Sequence, residues 1–170
     1  MLYAMRRFTV PLVLLVSATA ALVGTSWHAS AAGQQVSHPP SPATTAHRVI
    51  RPDKFPNTGL PYSPGILAGD TLYLSGQLGR DPVTATLVPG GIDAETRQAL
   101  VNLGEVLRAA GMDFRNVVSV TAFISDFKDF QKFNAVYREF FPTDPPARAT
   151  VQVAGLNLGA AVEIQMIAVR

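Results

Sequence analysis

Apolar positions along this chain follow two rhythms, one of two residues and one of three to four, and the switches between them mark out its elements. Ile66-Leu67-Ala68 and Thr71-Leu72-Tyr73-Leu74-Ser75 flank Gly69-Asp70, a dipeptide suited to a two-residue turn with positive backbone angles. They predict a hairpin ended by Gly76-Gln77, preceded by a short strand at Arg48-Val49-Ile50. Asp81-Pro82 through Pro89-Gly90-Gly91 reads as a loop. Leu100, Leu103, Leu107 and Ala110 then recur at helical spacing, with Asp93 as the expected N-cap and Gly111 as the stop. Val117 to Phe123 is β-branched and apolar, which predicts a largely buried strand. A second helix is predicted from Phe127 to Phe141, with Phe130, Phe133, Tyr137 and Phe140 or Phe141 on one stripe and Pro142 ending it. Two last strands, Ala149 to Val153 and Ala161 to Val169, are joined through Gly155-Leu156-Asn157-Leu158-Gly159.

In the final strand Val162, Ile164, Met166 and Ala168 share one face, while Glu163 and Gln165 lie on the other. The order β-β-β-α-β-α-β-β, with two amphipathic helices, predicts a two-layer α+β domain: a mixed sheet with both helices on one face. The uncovered face then carries Tyr, Thr, Val and Ile beside Glu163, too apolar to leave wet and too polar for a simple core. A homo-oligomer that packs these faces together, with pockets between subunits, resolves the conflict.

Residues 1–31 read as an export signal: Arg6-Arg7, an apolar stretch from Phe8 to Val16, then small residues ending in Ala29-Ser30-Ala31. An earlier cut after Ala20 and an uncleaved anchor are the alternatives. Residues 32–47 form a Pro/Ser/Thr-rich flexible linker, and residues 48–170 one domain. The expected destination is periplasmic or secreted, off the membrane once the signal is removed. With no cysteine in the chain, neither disulfides nor a lipid-anchored cysteine can form. Fourteen Lys and Arg face twelve Asp and Glu, but Arg6 and Arg7 are the only charges before Arg48, so the body is neutral. A neutral body lacks the clustered basic face that nucleic-acid binding requires.

The three histidines, His28, His38 and His47, all fall in the leader or linker. With no Cys either, the body lacks the parts of zinc sites, Cys-His nucleophiles and Ser-His-Asp triads, and Gly90-Gly91 does not continue into a phosphate loop. No metal and no cofactor are expected. What remains is Arg148, at the head of a strand, and Glu163, inside an apolar run, both costly to bury without a partner, a pocket or an interface. Arg148 suits a carboxylate clamp, its approach stiffened by Pro145-Pro146; a structural ion pair with Glu163 or Asp144 is the alternative. Glu163 could orient or deprotonate a water, or serve as that structural partner. Tyr62 between Pro61 and Ser63 could present a hydroxyl or simply pack, and Asn134, which interrupts the aromatic stripe of the second helix, reads as a weak functional signal or as a capping or inter-helix hydrogen bond. Ser75 and Thr150 are ordinary strand residues when taken alone.

Taken together, Tyr73-Leu74-Ser75-Gly76-Gln77, Thr96 to Leu103, Phe130 to Asn134, Pro146-Ala147-Arg148 and Val162-Glu163-Ile164 resemble the RidA/YjgF reactive-intermediate deaminases. The resemblance spans Arg48 to Arg170, and its most specific part is Pro-Ala-Arg followed fifteen residues later by Glu in an apolar strand. It implies a chorismate-mutase-like fold, a homotrimer with sites in the clefts between subunits, and cofactor-free hydrolysis of enamines and imines of the 2-aminoacrylate type to 2-keto acids and ammonia. By position, it assigns the substrate carboxylate to Arg148 and the attacking water to Glu163, with Tyr62, Ser75, Phe130, Asn134 and Thr150 at the pocket. Leu60-Pro61-Tyr62, Leu156-Asn157 and Gln165 depart from the family's usual Gly-Pro-Tyr, Leu-Pro and second acidic residue. A non-catalytic trimeric module that binds small carboxylates is the competing reading. A nuclease has neither a basic face nor metal ligands to rest on.

Overall fold

A computed structural model describes residues 47–53, 55 and 59–170. The predicted leader, and the predicted linker up to residue 46, lie outside the described residues. His47, which its polar neighbours assign to the linker, instead opens the first strand with its side chain exposed.

Six strands, β1 (His47–Ile50), β2 (Gly65–Ala68), β3 (Thr71–Leu78), β4 (Val117–Ile124), β5 (Ala147–Gln152) and β6 (Val162–Val169), form one sheet in the order β1-β2-β3-β6-β4-β5. All neighbours are antiparallel except β4 and β5, which run parallel, so the sheet is mixed as expected. Helices α1 (Gly91–Ala109) and α2 (Phe130–Phe140) complete the α+β domain. The last strand in sequence lies inside the sheet, where its alternation matters most. Val162, Ile164, Met166 and Ala168 are buried together with Leu72 and Leu74 of β3 and Val120, Ala122 and Ile124 of β4. Against this face pack Leu100, Leu103 and Leu107 of α1 and Phe133 and Tyr137 of α2. Each such side chain contributes on the order of 1.5–3 kcal/mol by leaving water.

The expected hairpin forms, with Ala68 paired to Thr71, but of the two turn residues only Gly69 takes a positive φ, 58°, and Asp70 does not. The stop of α1 is likewise as expected. Gly111 at φ 73° lets its N–H reach Arg108 O and the Met112 N–H reach Leu107 O, two bonds that satisfy the last carbonyls.

Other boundaries differ from the sequence pattern. The cap of α1 is Gly90, not Asp93: Gly90 and Gly91 both take positive φ to swing the chain into the helix, and Asp93 sits in the first turn, where a carboxylate favours the helix dipole. The second helix begins as a 3₁₀ turn at Phe127–Asp129, because Asp126 accepts the Lys128 N–H, and becomes α-helical only at Phe130. Strand β5 starts two residues early, at Ala147, where pairing with Ser119 of β4 takes hold. Most consequential, β3 does not end at Gly76-Gln77. It continues to Leu78 through a bulge, with Leu74 opposite Met166 and Gln77 opposite Ile164, so that Ser75 and Gly76 together face a single residue of β6.

Just past β3, Gly79 lies against the backbone of α1: a Cβ built there would stand 2.3 Å from Glu95 Cα and 2.6 Å from Glu95 O. Helix backbone cannot yield as a side-chain tip can. Gly79→Ala is therefore expected to destabilise the fold by about 1–3 kcal/mol, read as a lower urea midpoint with unchanged m-value. An unchanged midpoint would mean that helix and strand do not approach this closely.

Candidate active site

Glu163 stands opposite Leu78 of β3 and Phe123 of β4, on the face away from the helices. Its carboxylate lies directly over Gly76, where an added Cβ would be 2.0 Å from Glu163 Oε1. The bulge and the glycine thus leave room for the carboxylate at the point where β3 would otherwise fill it. Glu163 is half-buried and lines a cavity of about 360 Å³ together with Tyr62, Ser75, Gly76, Leu78 and Arg80. Ser75 fixes one wall: its Oγ donates to Ser63 O at 2.6 Å and its N–H to Pro64 O at 3.0 Å, which ties the Tyr62 loop to β3. Tyr62 itself is exposed at the cavity's edge.

Arg148 occupies the other face. Its partner on β4 is Val120, a core residue, so the parity of β5 sends the guanidinium under α2. There Nη2 donates to Asn134 Oδ1 at 2.7 Å, while Cζ stacks 4.4 Å from the Tyr137 ring centroid and 5.2 Å from that of Phe133. Cation–π contacts of this kind are worth about 0.5–2 kcal/mol and help offset partial desolvation of the charge. Neither alternative ion pair forms: among the described residues Arg148 meets no carboxylate. The remaining donors of its fork face an open groove of about 380 Å³ edged by Arg138, Phe141, Pro145 and Pro146.

The other pocket candidates divide in the same way. Asn134 lies beside Arg148 and holds its guanidinium in place. Phe130 is half-buried against Phe127, with ring centroids 5.6 Å apart, and lines neither cavity. Thr150, two residues along β5 from Arg148, has a buried hydroxyl with no hydrogen-bond partner. One chain therefore holds two half-sites, with Glu163, Tyr62 and Ser75 in one, and Arg148 and Asn134 in the other.

Several residues that build these half-sites carry no sequence signal of their own. Gly76 reads as turn punctuation until the β3–β6 register shows what faces it. Asn102 of α1 is buried, donates to Leu78 O and Arg80 O, and accepts from Gln98, which holds the chain as it leaves β3. Glu95, also buried on α1, accepts the Ala161 N–H at 2.8 Å and so sets the start of β6, two residues before Glu163. An Asn and a Glu on an amphipathic helix are ordinary surface residues by pattern, and only the fold turns them inward.

The fold corresponds to a known class. A solved structure of YyfA from Yersinia pestis, described as a protein of the conserved Rid family, superposes with a TM-score of 0.70 at 39% identity, covering 74% of this chain and 100% of that one. E. coli TdcF, solved with bound serine, matches with a TM-score of 0.68 at 33% identity over 72% of this chain and 98% of its own. The family described as Endoribonuclease L-PSP matches residues 53–170, and the chain belongs to this RidA/YjgF family. A goat (Capra hircus) protein named 2-iminobutanoate/2-iminopropanoate deaminase is 48% identical over 128 residues, 75% of this chain and 93% of its own length.

Tyr137, beneath the guanidinium, gives the site a pH signature. Burial pushes its phenol up to about 12 against the opposing pull of the charged Arg148 guanidinium, which approaches the hydroxyl without forming a hydrogen bond of ordinary geometry. Between about pH 10 and about pH 12 the unfolded chain loses this proton while the folded chain keeps it, so the stability it contributes is complete below about pH 10 and disappears as pH rises through about 12. Denaturation midpoints measured from about pH 9 to about pH 11.5 are expected to fall in the wild type and to fall less in Tyr137→Phe, whose stability near neutral pH should stay within about 0.5 kcal/mol. Parallel alkaline losses in the two proteins would assign the effect elsewhere.

Proposed function

We propose that this chain is a cofactor-independent deaminase that hydrolyses reactive 2-imino acids and their enamine tautomers, of the 2-aminoacrylate type, to 2-keto acids and ammonia. We further propose that it works as a homotrimer whose sites form where copies of the chain meet. One observation carries the reading: a guanidinium without a carboxylate partner and a carboxylate held clear over a glycine sit on opposite faces of one sheet. Within a chain they cannot reach one small substrate, but the open face of one copy laid beside the α2 edge of another brings them together. Support comes from the goat relative, whose name gives 2-iminobutanoate and 2-iminopropanoate as substrates, and from TdcF, which holds serine, a small carboxylate. Tyr73, Val49, Val151 and Val169 leave the open face apolar, as a surface covered by another copy would be.

In this mechanism Arg148 grips the substrate carboxylate through parallel charge-assisted hydrogen bonds, with Asn134 fixing the fork. Glu163 of the neighbouring copy takes a proton from a water as its oxygen bonds to the imine carbon. The C=N π pair moves to nitrogen, which takes that proton from Glu163 to give the carbinolamine. Glu163 then takes the hydroxyl proton as the ketone forms and the C–N bond breaks, and passes it to the departing nitrogen, so that ammonia leaves and the carboxylate is restored. Tyr62 and Ser75 line the cavity beside Glu163, and Thr150 follows Arg148 on β5. The imine carbon is already electrophilic, so positioning and one proton shuttle are enough. The leader pattern in residues 1–31 supports work outside the cytoplasm, which N-terminal sequencing of protein recovered from cell fractions would test.

Imines generated in situ by an amino-acid oxidase and followed by trapping give the decisive assay. Arg148→Ala is expected to lower kcat/KM by about 10- to 100-fold, chiefly through KM, since charge-assisted hydrogen bonds contribute about 1.5–3 kcal/mol. Glu163→Gln should lower kcat by about 10²–10⁴-fold. Deamination untouched by Arg148→Ala would overturn the assignment, and a wild type that binds keto acids without accelerating imine loss would be a binding module. Light scattering should give the mass of three chains, and a stable monomer would rule out a shared site.

A further inference from the structure

The cavity beside Glu163 is more cationic than a three- or four-carbon imino acid calls for. Its volume of about 360 Å³ falls within the range that holds drug-sized ligands, roughly 300–1,000 Å³. With Arg148 of a neighbouring copy gripping the α-carboxylate, this cavity still offers two further guanidinium side chains, Arg51 and Arg80. Neither forms an ion pair among the described residues. Arg51 is exposed at the rim, whereas Arg80 is half-buried and built in. Its Nε donates to Ala85 O at 2.9 Å, its backbone N–H donates to Leu78 O at 2.8 Å, and its carbonyl accepts from the buried Asn102 at 2.9 Å. The two terminal nitrogens of Arg80 remain without a protein partner among the described residues.

Two carboxylates also line this cavity, Glu163 and Asp81. Asp81 is engaged by its own turn: Oδ1 accepts the N–H groups of Val83 and Thr84 at 2.8 and 2.9 Å, which hold the carboxyl below its usual range. Glu163 lies at the Gly76 end, opposite Leu78, and Arg80 follows two residues farther along the chain. Besides Glu163, the cavity's lining therefore includes a tethered cation whose terminal nitrogens have no protein partner among the described residues. An apolar side chain would leave that guanidinium desolvated and unpaired, at a cost that a carboxylate would remove.

We infer that this site selects 2-imino acids bearing a second carboxylate at the end of a short side chain, of the iminosuccinate and iminoglutarate type, and that Arg80 receives that second carboxylate. The inference rests on the deaminase reading and names the substrate class of the same site. Arg80 acts on specificity; the water and the α-carboxylate are handled by Glu163 and Arg148.

The test compares kcat/KM for the imines that amino-acid oxidases release from aspartate and from alanine, in wild type, Arg80→Leu and Arg80→Lys. Wild type is expected to favour the diacid at least tenfold, Arg80→Leu to lower the diacid-to-monoacid ratio by about 10- to 100-fold, and Arg80→Lys to keep part of the preference. A wild type that prefers the monoacid, or a ratio unmoved in both variants, overturns the inference. Calorimetric titration of the wild type with 2-oxoglutarate and with 2-oxobutanoate reads the same selectivity without catalysis. If no imine is turned over, the deaminase reading fails, while the titration still decides this one: tighter 2-oxoglutarate binding that weakens in Arg80→Leu supports it, and equal affinities overturn it.

Discussion

The pleat of β6 is the constraint on which the site depends. Val162 and Ile164 on either side of Glu163 are fully buried, and each pairs with a core residue of β4. A slip of one residue would drive the carboxylate under the helices and turn Val162, Ile164 and Met166 outward, losing several large burial terms and leaving an unpaired charge inside. The direction of Glu163 is therefore set by its neighbours far more firmly than by any contact of its own. The neighbouring strand gives way instead: β3 bulges and supplies Gly76 where a Cβ would strike the carboxylate.

The same rule applied to β5 explains why the cation and the carboxylate part company. Parallel pairing places Arg148 beside Val120 and Thr150 beside Ala122, so both point toward the helices. A guanidinium there needs compensation, and it comes from Asn134 and two aromatic rings, not from an acid. That choice has a chemical consequence. A carboxylate partner would have occupied the fork and neutralised the charge, whereas an amide oxygen and a π face hold it in place and leave both its charge and its remaining donors free for an anionic ligand.

The reading from sequence succeeded where periodicity alone decides and failed where a residue's role depends on what lies across from it. Strand parity in β6, the Gly69-Asp70 hairpin and the Gly111 stop follow from local rules. The start of α1 was misplaced because Asp93 is a good cap by type, while the pair Gly90-Gly91, read as loop punctuation, supplies the backbone angles that begin the helix. Gly76-Gln77 looked like the end of a strand because a glycine inside a bulge and a glycine in a turn are the same letter. The ion pair considered for Arg148 and Glu163 was plausible only while their faces were unknown. Arg80, Asn102 and Glu95 escaped notice because a loop arginine and two polar helix residues acquire roles only when the chain folds back on them.

If the two half-sites meet across copies of the chain, catalysis becomes a matter of how rigidly the copies dock. Positioning of reactants can supply about 7–11 kcal/mol of barrier lowering, but only when the reacting atoms are held at close to attack distance. Here Glu163 rides on an inner strand and Arg148 on an edge strand, both regular elements with buried neighbours. Neither depends on a loop for its aim. The Arg80 segment is different: it is a loop, but one tied to α1 through Asn102 and to its own turn through Ala85 and Asp81. That division suits a site whose chemistry stays constant while its selectivity is set nearby, since residues on the loop can change without disturbing the strands that carry Glu163 and Arg148.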